Sequence, residues 1–140
     1  MHTVVILDDA TVCTAGVNDD GALGRETAME ESGDSQGIPD EQNPALFGKV
    51  DLPVGASRPV QTVATDSGSF VLTEDGSVYG WGTFRNEHGV FGFNPTSQKQ
   101  LRPTLVYKPR GRHAPPVVKL GAGGNHVVAI LKVSSVFTFA

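Results

Sequence analysis

Three stretches of this chain repeat one pattern: "HTVVILDDATVCTAG" at residues 2–16, "GSFVLTEDGSVYGWG" at 68–82 and "HVVAILKVSSVFTFA" at 126–140. The copies begin 66 and then 58 residues apart. Each contains a run of β-branched and aromatic residues, a short turn and a second such run, which is how a β-hairpin reads in sequence. In the second copy Glu74, Asp75 and Gly76 supply residues that tolerate a tight hairpin turn. Ala10 replaces that glycine in the first copy, so a less tight turn is expected there. The third turn, Lys132-Val133-Ser134, has no Gly, Asn or Asp and is the least defined of the three.

Between the hairpins lie further strand segments, "FGKVDLP" at 47–53, "VQTVATD" at 60–66, "PTLVYKP" at 103–109 and "PVVKLGAGG" at 116–124. Two outer strands and one hairpin make four strands per repeat. Four-stranded sheets repeated radially form a propeller, which closes with about 4 to 8 blades. The expectation is an all-β chain, a partial β-propeller with four-stranded antiparallel blades, too short to close the ring. Residues 1–59 read as the end of one blade with an acidic loop and the following outer strand. Residues 60–115 read as a second blade with a basic connection, and 116–140 as the start of a third. The first and last residues fall inside hairpin strands, as expected of a piece of a larger ring.

At 140 residues the chain has the length of one ordinary domain. Its apolar runs are too short to cross a bilayer, no secretory leader is visible, and one cysteine, Cys13, builds no internal disulfide framework. These features fit a soluble intracellular protein. The net charge of −4 hides an asymmetry: all 15 acidic residues lie within 1–87 beside only four basic ones, whereas 88–140 holds seven basic residues and no acid. The two parts suit different electrostatic partners.

After the first two hairpins come polar segments ending in glycine, "VNDDGALG" at 17–24 and the longer "TFRNEHGVFG" at 83–92. With the "NDDGALGR" turn and the hairpin closed by Gly80, Trp81 and Gly82, the chain resembles successive repeats of the regulator of chromosome condensation family. That resemblance implies a seven-bladed propeller. The segment "GTFRNEHGVFG" is similar to the β-wedge that the family's exchange factor inserts into the Ran GTPase beside the phosphate-binding loop. By that likeness Phe84, Arg85, Asn86, Glu87, His88, Gly89 and Val90 form the wedge, with Phe84 and Phe91 as an aromatic base below a charged tip. Asp66 falls on a family aspartate that engages the GTPase. Two positions depart from the pattern: Gly68 stands where a repeat usually has His, as at His2 and His126, and Asn125 where the exchange factor has another functional Asp.

The resemblance therefore implies guanine-nucleotide exchange on a Ran-type small GTPase, without bond chemistry, cofactor or small-molecule substrate, in the nucleus on chromatin. A scaffold for protein–protein interaction, including a cytoplasmic one, is the alternative, because one fold serves many roles. The wedge segment also reads as a solvated loop, and Asp66 alone as a turn residue. Lys108, Arg110 and Arg112 in "YKPRGRHAPP" are candidate DNA phosphate contacts, or else a solvated connection between blades.

Other chemistries lack support. The four histidines have no metal-ligand spacing with Cys13 or with one another, and His2 and His126, at equivalent repeat positions, suit a structural hydrogen-bonding role. "GAGGNH" at 121–126 precedes a strand, whereas a phosphate-cradling loop opens a helix and carries a lysine. No serine sits at a strand-to-helix elbow. Trp81 reads as blade packing rather than as a platform for bases.

Overall fold

The structure is a computed structural model and describes residues 1–28 and 37–132. The second strand of the third hairpin, the rest of its turn beyond Lys132 and part of the acidic loop lie outside the described residues. The described residues form eleven strands: β1 (His2–Ile6), β2 (Val12–Gly16), β3 (Gly48–Val50), β4 (Pro59–Ala64), β5 (Gly68–Thr73), β6 (Val78–Gly82), β7 (Phe84–Asn86), β8 (Gly89–Gly92), β9 (Gln100–Tyr107), β10 (Val117–Ala122) and β11 (Val127–Leu131). They form antiparallel sheets in the orders β1-β2-β3, β4-β5-β6-β9 and β10-β11, with β7-β8 as a separate small hairpin. The chain is a partial β-propeller whose second blade has all four strands. None of the described helices is long and apolar enough to cross a membrane.

The first two hairpins are superposable in register. His2 pairs with Gly16 as Gly68 pairs with Gly82. Their turns are equally tight, contrary to the expectation from Ala10. Leu7 N donates to Thr11 O and Ala10 N to Leu7 O, both at 2.8 Å; Thr73 N donates to Ser77 O and Gly76 N to Thr73 O, both at 2.9 Å. Ala10 simply adopts the left-handed conformation, φ 67°, where Gly76 has φ 83°. Strand pairing on one side and a bond from Thr11 N to Asp9 Oδ1 (3.0 Å) on the other over-determine the turn, so the alanine is carried into an unfavourable region.

The second sheet is covered on both faces, which is why all six residues of β5 are buried and its sequence lacks simple alternation. Period-two geometry still sorts the side chains. Phe70, Leu72 and Val78 pack with Val117 and Leu120 of the third sheet, whereas Val71 and Trp81 pack with Val12 and Val50 of the first. Trp81 is fully buried, as expected of a packing residue, and its Nε1 donates to Ala22 O at 2.8 Å.

Polar bonds align the sheets. The His2 ring sits between the first and second sheets, its Nε2 3.1 Å from Gly68 O and 2.8 Å from Ser69 Oγ. A carbonyl only accepts, so Nε2 carries the proton. Gln61 pairs with the backbone of Leu120 twice, accepting from its N at 2.8 Å and donating to its O at 2.7 Å. His2 thus bonds across blades. His126, at the equivalent place, is exposed.

Candidate functional site

Strand direction decides which loops meet. β4 ends at Ala64, β5 begins at Gly68, β6 ends at Gly82 and β9 begins at Gln100, all at one end of the second sheet. Asp66 lies in the turn between β4 and β5, and the β7-β8 hairpin leaves from the end of β6. Gly82 permits the exit: its φ is +93°, and a Cβ there would lie 2.3 Å from Ser67 O. At the same end the first sheet contributes the Asn18–Asp20 turn after β2, and the third contributes Gly123, Gly124 and Asn125 after β10.

The expected wedge is a two-stranded hairpin. Arg85 pairs with Val90 and Asn86 with Gly89, leaving Glu87 and His88 at the tip. Asn86 Oδ1 accepts His88 N at 2.8 Å, and Gly89 closes the turn with φ +110°. The Glu87 and His88 side chains are 86% and 83% exposed, so the tip stands in solvent, with His88 Nε2 3.4 Å from Glu87 Oε1. A cleft of about 920 Å³ separates the hairpin from the returning segment around Asn94–Gln98.

The aromatic base differs from the expected pair. Phe84 is half-buried, 5.8 Å from Phe70 and 6.2 Å from Phe93 between ring centroids, and Phe70 and Phe93 are 6.0 Å apart. Phe91 is instead 73% exposed. The register shift between Phe84 and Arg85 changes which face of the hairpin looks inward, and Phe93 takes the inner place.

Arg85 belongs to the hairpin by sequence, but its side chain turns back to the first sheet. Its guanidinium Nη1 lies 2.7 and 2.9 Å from the two oxygens of Asp20. Lys99 joins the same carboxylate at 3.4 Å and donates to Asp19 O at 3.0 Å. Burial alone would raise the Asp20 carboxyl, but bonds from Arg85, Ser67 and Lys99 outweigh it and hold its pKa below the usual range. On the opposite flank Asn125 faces the carbonyl oxygens of Arg85 and Gly124. Because both neighbours only accept, the Asn125 amide is assigned with its nitrogen rather than its oxygen toward them, and in that orientation it donates to both at 3.2 Å.

Asp66 is exposed beside this group. Its N donates to Gly124 O at 2.8 Å, and its carboxylate lies against Gly124, where a Cβ would come within 3.4 Å. Lys108, Arg110 and Arg112 are not part of this cluster. β9 runs from Gln100, opposite Gly82, to Tyr107, opposite Val78, and so delivers them to the other end of the sheet. All three are exposed, and none pairs with a described carboxylate. Among the described residues no group of His, Cys, Asp or Glu is placed to hold a metal.

This arrangement matches known proteins along nearly its whole length. The model for the Regulator of chromosome condensation (RCC1) repeat matches residues 75–130. The Regulator of chromosome condensation of Mus musculus is 37% identical over 138 residues, 99% of this chain. The chain belongs to the regulator of chromosome condensation repeat family. It spans only 28% of the length of that mouse relative. The Guanine nucleotide exchange factor SRM1 of Saccharomyces cerevisiae is 30% identical over 156 aligned residues, covering 99% of this chain and 32% of its own length. Among solved structures, Prp20p from Saccharomyces cerevisiae, described together with its binding properties to Gsp1p and histones, superposes with a TM-score of 0.74. The match has 29% identity and covers 94% of this chain and 28% of that one.

Several residues that organise this part of the regulator of chromosome condensation repeat carry no obvious signal in the sequence. Arg25, 6% exposed, has its guanidinium within 2.8–3.3 Å of Thr14 O and Oγ1, Glu41 O, Asn43 O and Leu46 O. Among the described residues it is a buried cation satisfied by carbonyl oxygens and one hydroxyl rather than by a carboxylate, and it fastens residues 41–46 to the first blade. Asp20 reads in sequence as one member of a turn motif, and only the fold shows that it serves Arg85.

Proposed function

We propose that this chain is the wedge-bearing part of a guanine-nucleotide exchange factor for a Ran-type small GTPase. The observation that carries the reading is the β7-β8 hairpin, an ordered two-stranded projection with an exposed Glu87-His88 tip, leaving the sheet end where Asp66 is also exposed. SRM1, named as an exchange factor, aligns with 99% of this chain.

The mechanism requires no covalent step and no cofactor. A small GTPase holds its nucleotide through backbone N–H groups, a lysine and a magnesium ion around the phosphates. A protein that binds the empty GTPase better than the loaded one weakens nucleotide binding by the same factor. A preference of about 4 kcal/mol corresponds to roughly a thousandfold loss of nucleotide affinity. A short hairpin suits this task. Its backbone is fixed by pairing and by the Phe70-Phe84-Phe93 group, so little ordering entropy is lost when the tip enters the phosphate-binding region. Asn86, Gly89 and Val90 shape the hairpin, Glu87 and His88 compete for the loops, and Asp66 supplies a second contact. Release of a fluorescent GDP analogue from purified Ran tests the reading, and acceleration is the expected result.

Lys108, Arg110 and Arg112 give the opposite end of the sheet a positive character suited to phosphates, so that the chain would hold DNA and the GTPase on different faces. This supports a nuclear, chromatin-associated role. Binding to duplex DNA should weaken steeply between 50 and 200 mM salt, in proportion to the phosphates neutralised. An affinity that is absent or insensitive to salt would contradict it.

A further inference from the structure

We propose that Asn125 is a positioning residue for the wedge, fixing the hairpin through the backbone carbonyl of Arg85. The hairpin leaves the second blade, and nothing in its own pairing sets the direction in which it points. Two side chains from neighbouring blades meet it at Arg85. Asp20 takes the guanidinium on one flank at 2.7 Å, and Asn125 takes the carbonyl oxygen on the other at 3.2 Å. One residue of the hairpin is therefore held by the blade before and the blade after.

The chemistry at position 125 is specific. The group faces two acceptors, the carbonyls of Arg85 and Gly124. An amide satisfies both by donating. A carboxylate has only acceptor oxygens and would be repelled by both carbonyls, so it would have to rotate away. Asn125 therefore acts here as a donor toward the protein itself, a role that an aspartate at this position could not fill. The kinetic part of this inference rests on the exchange reading above; the structural part does not.

The two interpretations of Asn125 predict opposite signs for one substitution. If the position only lacks an acidic contact to the GTPase, Asn125→Asp raises exchange. If Asn125 holds the wedge, Asn125→Asp and Asn125→Ala both lower it. Both variants should be made with this chain substituted for the matching stretch of the mouse relative, so that the surrounding repeats are supplied. Amide hydrogen exchange over residues 85–90, melting temperature and GDP-release kinetics are then measured. The expected result is roughly tenfold faster amide exchange in the hairpin for both variants, with protection elsewhere and the melting temperature unchanged. The maximal release rate should fall roughly tenfold while the half-saturating GTPase concentration stays the same. Unchanged hairpin protection in both variants, or faster release by Asn125→Asp, overturns the proposal. If the parent chimera releases no nucleotide, the exchange reading fails, and hairpin protection alone still decides whether Asn125 is the clasp.

Discussion

Arg85 and Asp20, 65 residues apart in sequence, meet at 2.7 Å and tie the hairpin of the second blade to the turn that follows the first. Asp20 is the better buried partner, its side chain 14% exposed against 45% for Arg85, so the pair is less screened than an open surface bridge. A double-mutant cycle with Asp20→Ala and Arg85→Ala should give a coupling of about 1 kcal/mol, the upper end for exposed pairs. Asp20→Asn should also weaken the hold of Lys99. A coupling near zero would show that the bridge adds nothing to the orientation of the hairpin.

The first hairpin turn retains an unfavourable residue that can be relieved. Ala10 sits at φ 67°, where an L side chain costs about 1–2 kcal/mol. Ala10→Gly removes that cost but loosens the unfolded chain by about 0.4–1 kcal/mol. The net expectation is a gain of about 0.5–1 kcal/mol in denaturant unfolding, with the slope unchanged. A loss of stability would mean that the alanine methyl makes a contact worth more than the strain.

Acid should weaken the second hairpin turn over a defined window. The Asp75 carboxylate accepts from Thr73 Oγ1 at 2.7 Å and from Ser77 N at 3.0 Å, and these bonds lower its pKa from 3.8 to about 2. The folded state favours the charged form. Its stabilisation is fully present above pH 3.8 and fades as the pH falls toward 2. The residue is mostly exposed, so the effect is small. Thermal melts of the parent and Asp75→Asn between pH 5 and 2 should converge as the acid limit is approached. Curves that run parallel throughout would contradict the assignment.

The hairpins were legible because their signals are local. Runs such as "SFVLT" and "SVYGW" flank a Glu-Asp-Gly turn, and the observed pairing of Gly68 with Gly82 follows from that turn alone. What the sequence hid depends on register or on distant chain. β9 begins at Gln100, three residues before the proline that read as its start, because the free side of an edge strand tolerates Pro103. Phe93 rather than Phe91 completes the aromatic base because a bulge shifts the alternation. The positions of the candidate wedge residues follow from the strand before them, but their attachments do not. Arg85 meets Asp20 and Asn125, and Arg25 meets carbonyls up to Leu46, through contacts that no spacing rule encodes.

The central claim is that the hairpin tip drives nucleotide release, and its most direct test removes the tip while keeping the sheet. Asn86-Glu87-His88-Gly89 would be replaced by Gly-Gly in this chain carried within the mouse relative, and release of fluorescent GDP from Ran compared with the intact tip. The account predicts that acceleration is lost while the melting temperature and the packing around Phe70, Phe84 and Phe93 are kept. Undiminished acceleration by the shortened hairpin would contradict it.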